Sequence, residues 1–154
     1  MSINTMSAPT QQDAAIMLDC QTLSRVYSEG PQDLTVLDKL NLQVRAGERV
    51  AIVGSSGSGK TTLLNLLGGL DRPSEGSVVI AEQPLSGLNE AALGRFRNRS
   101  LGFGYQFHHL LAAFTAPENA ALTLIIRGPP KKAAKRRAMT IWARRGRAER
   151  AERK

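Results

Sequence analysis

A single cysteine, Cys20, stands in 154 residues, so no internal disulfide framework can hold this chain together. A lone thiol fits a reducing compartment, and Cys20 is expected to pack as a small apolar side chain at a strand end. No apolar run reaches membrane-spanning length. Met1 to Ala14 is polar, with neither a basic n-region nor an apolar h-region, so a signal peptide is not expected. The chain is therefore expected in the cytoplasm, touching a membrane only through a partner. Internal repeats are absent. Acidic residues are scarce at one end. Residues 127–154 hold twelve Lys/Arg and two Asp/Glu, a local charge of +10. Residues 1–126 hold nine Lys/Arg and eleven Asp/Glu, a local −2, and together these make the net +8. The basic character thus belongs to the tail and assigns no nucleic-acid role to the rest. A length of 154 and a hydrophobic content of 42% describe one ordinary globular domain.

What is present centres on one stretch. Val50-Ala51-Ile52-Val53 reads as a buried parallel strand. It runs into Gly54-Ser55-Ser56-Gly57-Ser58-Gly59-Lys60-Thr61-Thr62, a G-x-x-x-x-G-K-T loop, and then into an apolar helical face of Leu63, Leu64, Leu66 and Leu67. Strand, glycine loop and helix in that order form the context a P-loop requires. Gly54, Gly57 and Gly59 permit positive φ, which lets successive backbone N–H groups turn inward as an anion cradle. The helix adds its positive N-terminal end. Lys60 supplies a point charge for the outer phosphates, and the Thr61 hydroxyl is suited to ligate Mg²⁺. The plain alternative is a Gly/Ser turn that binds nothing; the spacing and both flanks argue for a nucleotide phosphate site.

Along the chain, Met1 to Asp13 is expected to be a flexible start. Ala14 to Arg25 reads as a strand, with Tyr27 after it and a loop over Ser28 to Asp33. Leu40, Leu42 and Val44 alternate with polar residues as in a half-buried antiparallel strand. Gly68-Gly69 marks a helix stop, Asp71 to Gly76 a turn, and Val78-Val79-Ile80 a short strand. Asn89 to Arg99 predicts a helix capped by Asn89, and Leu101 to Tyr105 a strand weakened by two glycines. Thr115-Ala116-Pro117-Glu118 fits a capping box opening a helix that stops at Gly128-Pro129-Pro130. From Lys131 the chain turns Arg/Ala-rich. It reads as a solvated basic helix or as an arm for anionic lipid or nucleic acid, and charge runs favour the first.

The P-loop followed by Gly68-Gly69-Leu70-Asp71-Arg72-Pro73 resembles the start of an ABC transporter nucleotide-binding domain. Leu101-Gly102-Phe103-Gly104-Tyr105-Gln106-Phe107-His108-His109-Leu110-Leu111 is similar to the Q-loop of the LolD-type ATPases of lipoprotein-releasing systems. The double His tilts the resemblance toward these rather than toward macrolide-exporter or cell-division relatives. It covers Leu18 to Arg137 and fades beyond. What it implies is an α/β P-loop NTPase fold, here the N-terminal part with a small antiparallel β subdomain and the start of the helical subdomain. It implies Tyr27 as the platform for adenine, Gly54 to Thr62 around the triphosphate of ATP, and Thr61 and Gln106 at Mg²⁺, with Gln106 also toward the attacking water. On its own Tyr27 would be simple packing and Gln106 a solvated loop residue. Phe107 to Leu111 would contact the LolC/LolE-like membrane subunits at the cytoplasmic face of the inner membrane, within a homodimer of ATPase subunits. His108 and His109 are not a metal pair, since adjacent residues share no face.

The resemblance also implies machinery that Ala112 to Lys154 does not hold: a Leu-Ser-Gly-Gly signature, an apolar strand ending in Asp-Glu, and a switch His. Phosphoryl transfer depends on positioning water and neutralising charge. Lys60 and Gln106 without those carboxylates are expected to bind ATP and hydrolyse it poorly. The P-loop strand is expected to lack parallel neighbours, leaving an incomplete core. The chain then divides into a flexible 1–13, a partial nucleotide-binding domain over 14–130, and a basic tail over 131–154, whose Arg/Ala content is what a shifted reading frame in a GC-rich gene would give. Competing readings are a non-catalytic module that docks on the membrane subunits and another P-loop enzyme such as a kinase.

Overall fold

In a computed structural model the described residues are 1–6, 14–29, 32–104, 111, 113–126 and 128–144. Ten elements follow in chain order: β1 Ser2–Met6, β2 Ile16–Glu29, β3 Gln32–Arg45, β4 Arg49–Val53, α1 Lys60–Leu67, β5 Glu75–Ile80, β6 Gln83–Pro84, α2 Glu90–Ser100, α3 Ala116–Ile126 and α4 Lys131–Arg144. They fall into two compact units, Met1–Arg97 and Asn98–Lys154.

The first unit holds a four-stranded antiparallel sheet in the order β3-β2-β5-β6. Leu42 is buried while Asn41 and Gln43 face out, as the alternation predicts. Tyr27 lies inside β2 rather than after it, because that strand runs on to Glu29 opposite Gln32. Cys20 also sits within β2 and not at its end, fully buried at 1% exposure. Just after it the pairing slips, and Thr22 takes a left-handed φ of 48° with its N–H donated to Asn41 Oδ1. Gly76 meets that bulge: its φ is 87°, and a Cβ there would lie 2.4 Å from the Thr22 carbonyl oxygen.

The P-loop strand departs from expectation. β4 pairs antiparallel with β1, from Ser2 opposite Val53 to Met6 opposite Arg49, in a separate two-stranded sheet. The N-terminus is thus a strand over Ser2–Met6 rather than a loose start. An unpaired strand edge is a template for any nearby extended segment, and the N-terminal one occupies it. β4 alternates between half-buried and exposed residues, with Val53 50% exposed, so it is not the buried strand its apolar run suggests.

Helix α1 buries Leu63, Leu66 and Leu67, whereas Leu64 is 55% exposed. Positions 63, 66 and 67 share one face by the i, i+3, i+4 rule, and a helix this short has only one face to bury. Its end is a Schellman motif: Leu70 N–H donates to Asn65 O, Gly69 N–H to Leu66 O, and Gly69 takes φ 62°. Gly69 leaves room for Leu93 and Leu85, whose Cδ1 atoms would lie 3.0 and 3.3 Å from a Cβ there. α2 opens with Asn89 Oδ1 accepting the Ala92 N–H at 2.9 Å, the predicted cap. Residues 101–104 form no strand, since neither Gly102 nor Gly104 offers a side chain to pack on a pleat.

The second unit is built on α3 and α4, which bury Ala121, Ala134 and Ala138 between them. Half of the capping box forms: Glu118 Oε2 accepts from both the N–H and the hydroxyl of Thr115, at 2.9 Å each.

Candidate functional site

β4 carries the chain to Gly54 and α1 receives it at Lys60. Gly57 and Gly59 take φ of 77° and 84°, the left-handed region that lets backbone N–H groups converge. Gly54 does not take that conformation, and its smallness serves another end. A Cβ at Gly54 would sit 2.5 Å from Ser58 Oγ and 3.3 Å from the Met1 Cα, so the loop closes tightly over its own start. Gly59 occupies the cap position of α1, and no side chain caps that end. The first-turn N–H groups of a helix need partners from outside it, and an anion is one.

Val36 and residues 56–62 line a hollow of about 350 Å³. Ser58 Oγ is buried there without a hydrogen-bond partner. Lys60 Nζ folds back on the loop, donating to the carbonyl oxygens of Gly54 at 2.9 Å and Ser55 at 2.6 Å. A buried hydroxyl lacking a partner is costly unless a ligand satisfies it. Together with the Lys60 ammonium beside it and a glycine-built cradle, it fits an anion with several oxygens, such as a phosphate chain. The residues present therefore suit a phosphate chain, with Thr61 in the first turn of α1 on the lining of the hollow.

Tyr27 stands elsewhere in the first unit. Its hydroxyl donates to Asp71 Oδ2 at 3.1 Å, and the Arg25 guanidinium lies 4.3 Å above its ring while pairing with Asp71 at 3.1 Å. Tyr27 is not among the residues lining the P-loop hollow. Gln106, Phe107, His108, His109 and Leu110 lie outside the described residues. Leu111 is described: its N–H donates to Asn119 Oδ1 at 2.8 Å, and Asn119 Nδ2 donates to the carbonyls of Leu111, Phe114 and Thr115. Asn119 therefore pins the segment that leads from the Q-loop into α3. Sequence reasoning missed it, and also Val36 in the hollow and Asp71 beneath Tyr27. Only Asn119 had a visible signal, a capping residue one step past the capping-box Glu. No cluster of His, Cys, Asp or Glu suited to a metal occurs among the described residues. No helix among them is long and apolar enough to cross a membrane.

Residues 37–154 match the family model described as ABC transporter. The lipoprotein-releasing system ATP-binding protein LolD of Chromohalobacter salexigens is 63% identical over 146 residues, covering 95% of this chain and 62% of that protein. The LolD of Pseudomonas fluorescens is 54% identical over 138 residues, with 90% and 61% covered. The chain thus spans less than two thirds of the length of these curated relatives. Among solved structures, the ATP-binding cassette MJ0796, in a dimeric post-hydrolysis state bound to ADP and Pi, superposes with a TM-score of 0.70. It is 32% identical, with 80% of this chain and 55% of that one covered. With a family match over this much of the chain and relatives of this identity, the chain belongs to the ABC transporter family and is similar to LolD.

Proposed function

We propose that this chain binds ATP with Mg²⁺ as the nucleotide-binding subunit of a lipoprotein-releasing type of ABC transporter. The observation that carries this is the P-loop hollow, with its two left-handed glycines, its unpartnered Ser58 hydroxyl and Lys60 poised over the loop. Backbone amides from Gly54 to Thr62 bind the phosphates, and Lys60 leaves its two carbonyl partners for the outer phosphate oxygens. Thr61, and Gln106 by the resemblance, would hold Mg²⁺, which when bound would neutralise charge on the phosphates. Tyr27 offers its ring to adenine once Arg25 moves from its face. Phe107 to Leu111 meet the membrane subunits, and the subunit works as one of a pair at the cytoplasmic face of the inner membrane. The name of the relatives supports the lipoprotein-releasing assignment.

These 154 residues hydrolyse ATP poorly, because none of them forms a signature motif or a strand-end carboxylate pair that could activate water. Titration with a fluorescent ATP analogue should show saturable, Mg²⁺-dependent binding that Lys60→Ala weakens at least tenfold. Absence of binding in the folded protein rejects the nucleotide role. Steady ATP turnover that disappears in Lys60→Ala rejects the claim of poor hydrolysis.

A further inference from the structure

The α3–α4 hairpin carries a feature that nucleotide binding does not use. On one side of it Phe114, Leu122 and Ile125 form the apolar floor of an open groove of about 460 Å³, and Lys131, Lys132 and Lys135 form its wall. Lys132, Lys135, Arg136 and Met139 recur at i, i+3, i+4 and i+7, so they share one face of α4, and all four are exposed. The buried Ala134 and Ala138 lie on a different face, against α3. Among the described residues only Lys135 in this group has a carboxylate partner, Glu118 at 3.2 Å. Further apolar side chains stand out on the hairpin: Ile126 is 74% exposed and Met139 39%, while Ile141, at 48%, lines a separate hollow with Arg137 and Thr140. The surrounding sequence amplifies the sign, at +10 over residues 127–154.

We infer that this hairpin is an interfacial binding surface for anionic phospholipid, its lysines meeting headgroups while the groove and Met139 take up the first acyl carbons. The combination selects the partner. A solvated basic helix needs no apolar floor, and a nucleic-acid arm needs no exposed aliphatic side chains beside its cations. A bilayer surface offers both a sheet of negative charge and hydrocarbon beneath it. The charge is also spread over many residues, which suits a fluid anionic surface better than a carboxylate at one fixed place. This surface would tether the protein independently of its membrane subunits, and it does not depend on the nucleotide reading.

The test is co-sedimentation of the full chain with phosphatidylcholine vesicles, with and without phosphatidylglycerol. Binding is expected only with phosphatidylglycerol and should fall as salt shortens the screening length. Lys132→Gln and Arg136→Gln, both at exposed positions, should each weaken binding about fivefold. Leu122→Ser should weaken it further, with far-UV circular dichroism confirming that α3 and α4 persist. If that variant unfolds, Met139→Ser on the exposed face serves in its place, with the same loss expected. Binding to neither vesicle, or equally to both, overturns the inference. Equal affinity for duplex DNA, indifferent to the Leu122 and Met139 substitutions, overturns it in favour of a polyelectrolyte arm. Preference for an acidic helical peptide over vesicles overturns it in favour of a protein partner. Fluorescent ATP-analogue binding on the same samples keeps failure here distinct from failure of the nucleotide site.

Discussion

At the scale of single residues, glycine does two different jobs in the phosphate loop. Gly57 and Gly59 are there for their left-handed backbone, whereas Gly54 is there because Ser58 Oγ and Met1 leave no room for a Cβ. Gly76 combines both demands, with φ 87° and the Thr22 carbonyl 2.4 Å from where a Cβ would stand. Gly76→Ala should therefore cost about 2 kcal/mol, read as a lowered urea midpoint with unchanged slope. A cost near zero would show that β5 and the Thr22 bulge yield easily. Cys20 is fully buried, and burial pushes its thiol pKa up, so the thiolate needed for reaction is scarce. Native protein should react with a thiol reagent far more slowly than protein in denaturant. Equal rates would mean that β2 opens freely.

At the scale of elements, α3 depends on its first turn. Hydrogen bonds from the Thr115 N–H and hydroxyl, with Lys135 nearby, hold the Glu118 carboxyl down to a pKa of about 2. Because the folded value lies below the ordinary 4.5, this stabilisation is complete above the pH where an unfolded Glu titrates. It is lost as pH falls toward about 2. Helical circular dichroism should show this loss over that window in the native chain and not in Glu118→Gln. Thr115→Ala removes the hydroxyl that donates to Glu118 and should lower the helical signal at neutral pH. The start and stop of α3 were legible because their signals are local: a capping-box pattern, a glycine and two prolines; its packing against α4 was not, because that joins two elements. The apolar run Val50 to Val53 misled for the opposite reason. A run of that kind says that a strand wants burial, and it cannot say which neighbour is at hand to provide it.

At the scale of the whole molecule, unusual amounts of apolar surface remain open. Val53, Leu64, Leu70 and Ile126 are each 45% exposed or more. The native protein should bind a hydrophobic dye such as ANS at neutral pH, far above the level of a well-packed domain of this size. Its solubility should improve with Leu64→Gln, at a position 55% exposed. Dye binding no greater than that of a well-packed control would show that these faces are covered in solution.

The sequence by itself determined the glycine-loop motif, the family and the absence of a strand-end Asp-Glu pair in these residues. Each is a matter of residue type at fixed spacing along a continuous chain: G-x-x-x-x-G-K-T, the run around Gln106, and no strand ending in Asp-Glu. Even the helix stops at Gly68-Gly69 and Gly128 needed only local backbone rules. Tertiary structure alone decided which strand flanks β4, which leucine of α1 stays in water and that Asp71 and Arg25 hold Tyr27. Those outcomes join residues up to 51 positions apart, as Ser2 and Val53 are, and depend on what competes for each edge and face. Periodicity states the demand for burial, and only the assembled chain shows where it is met.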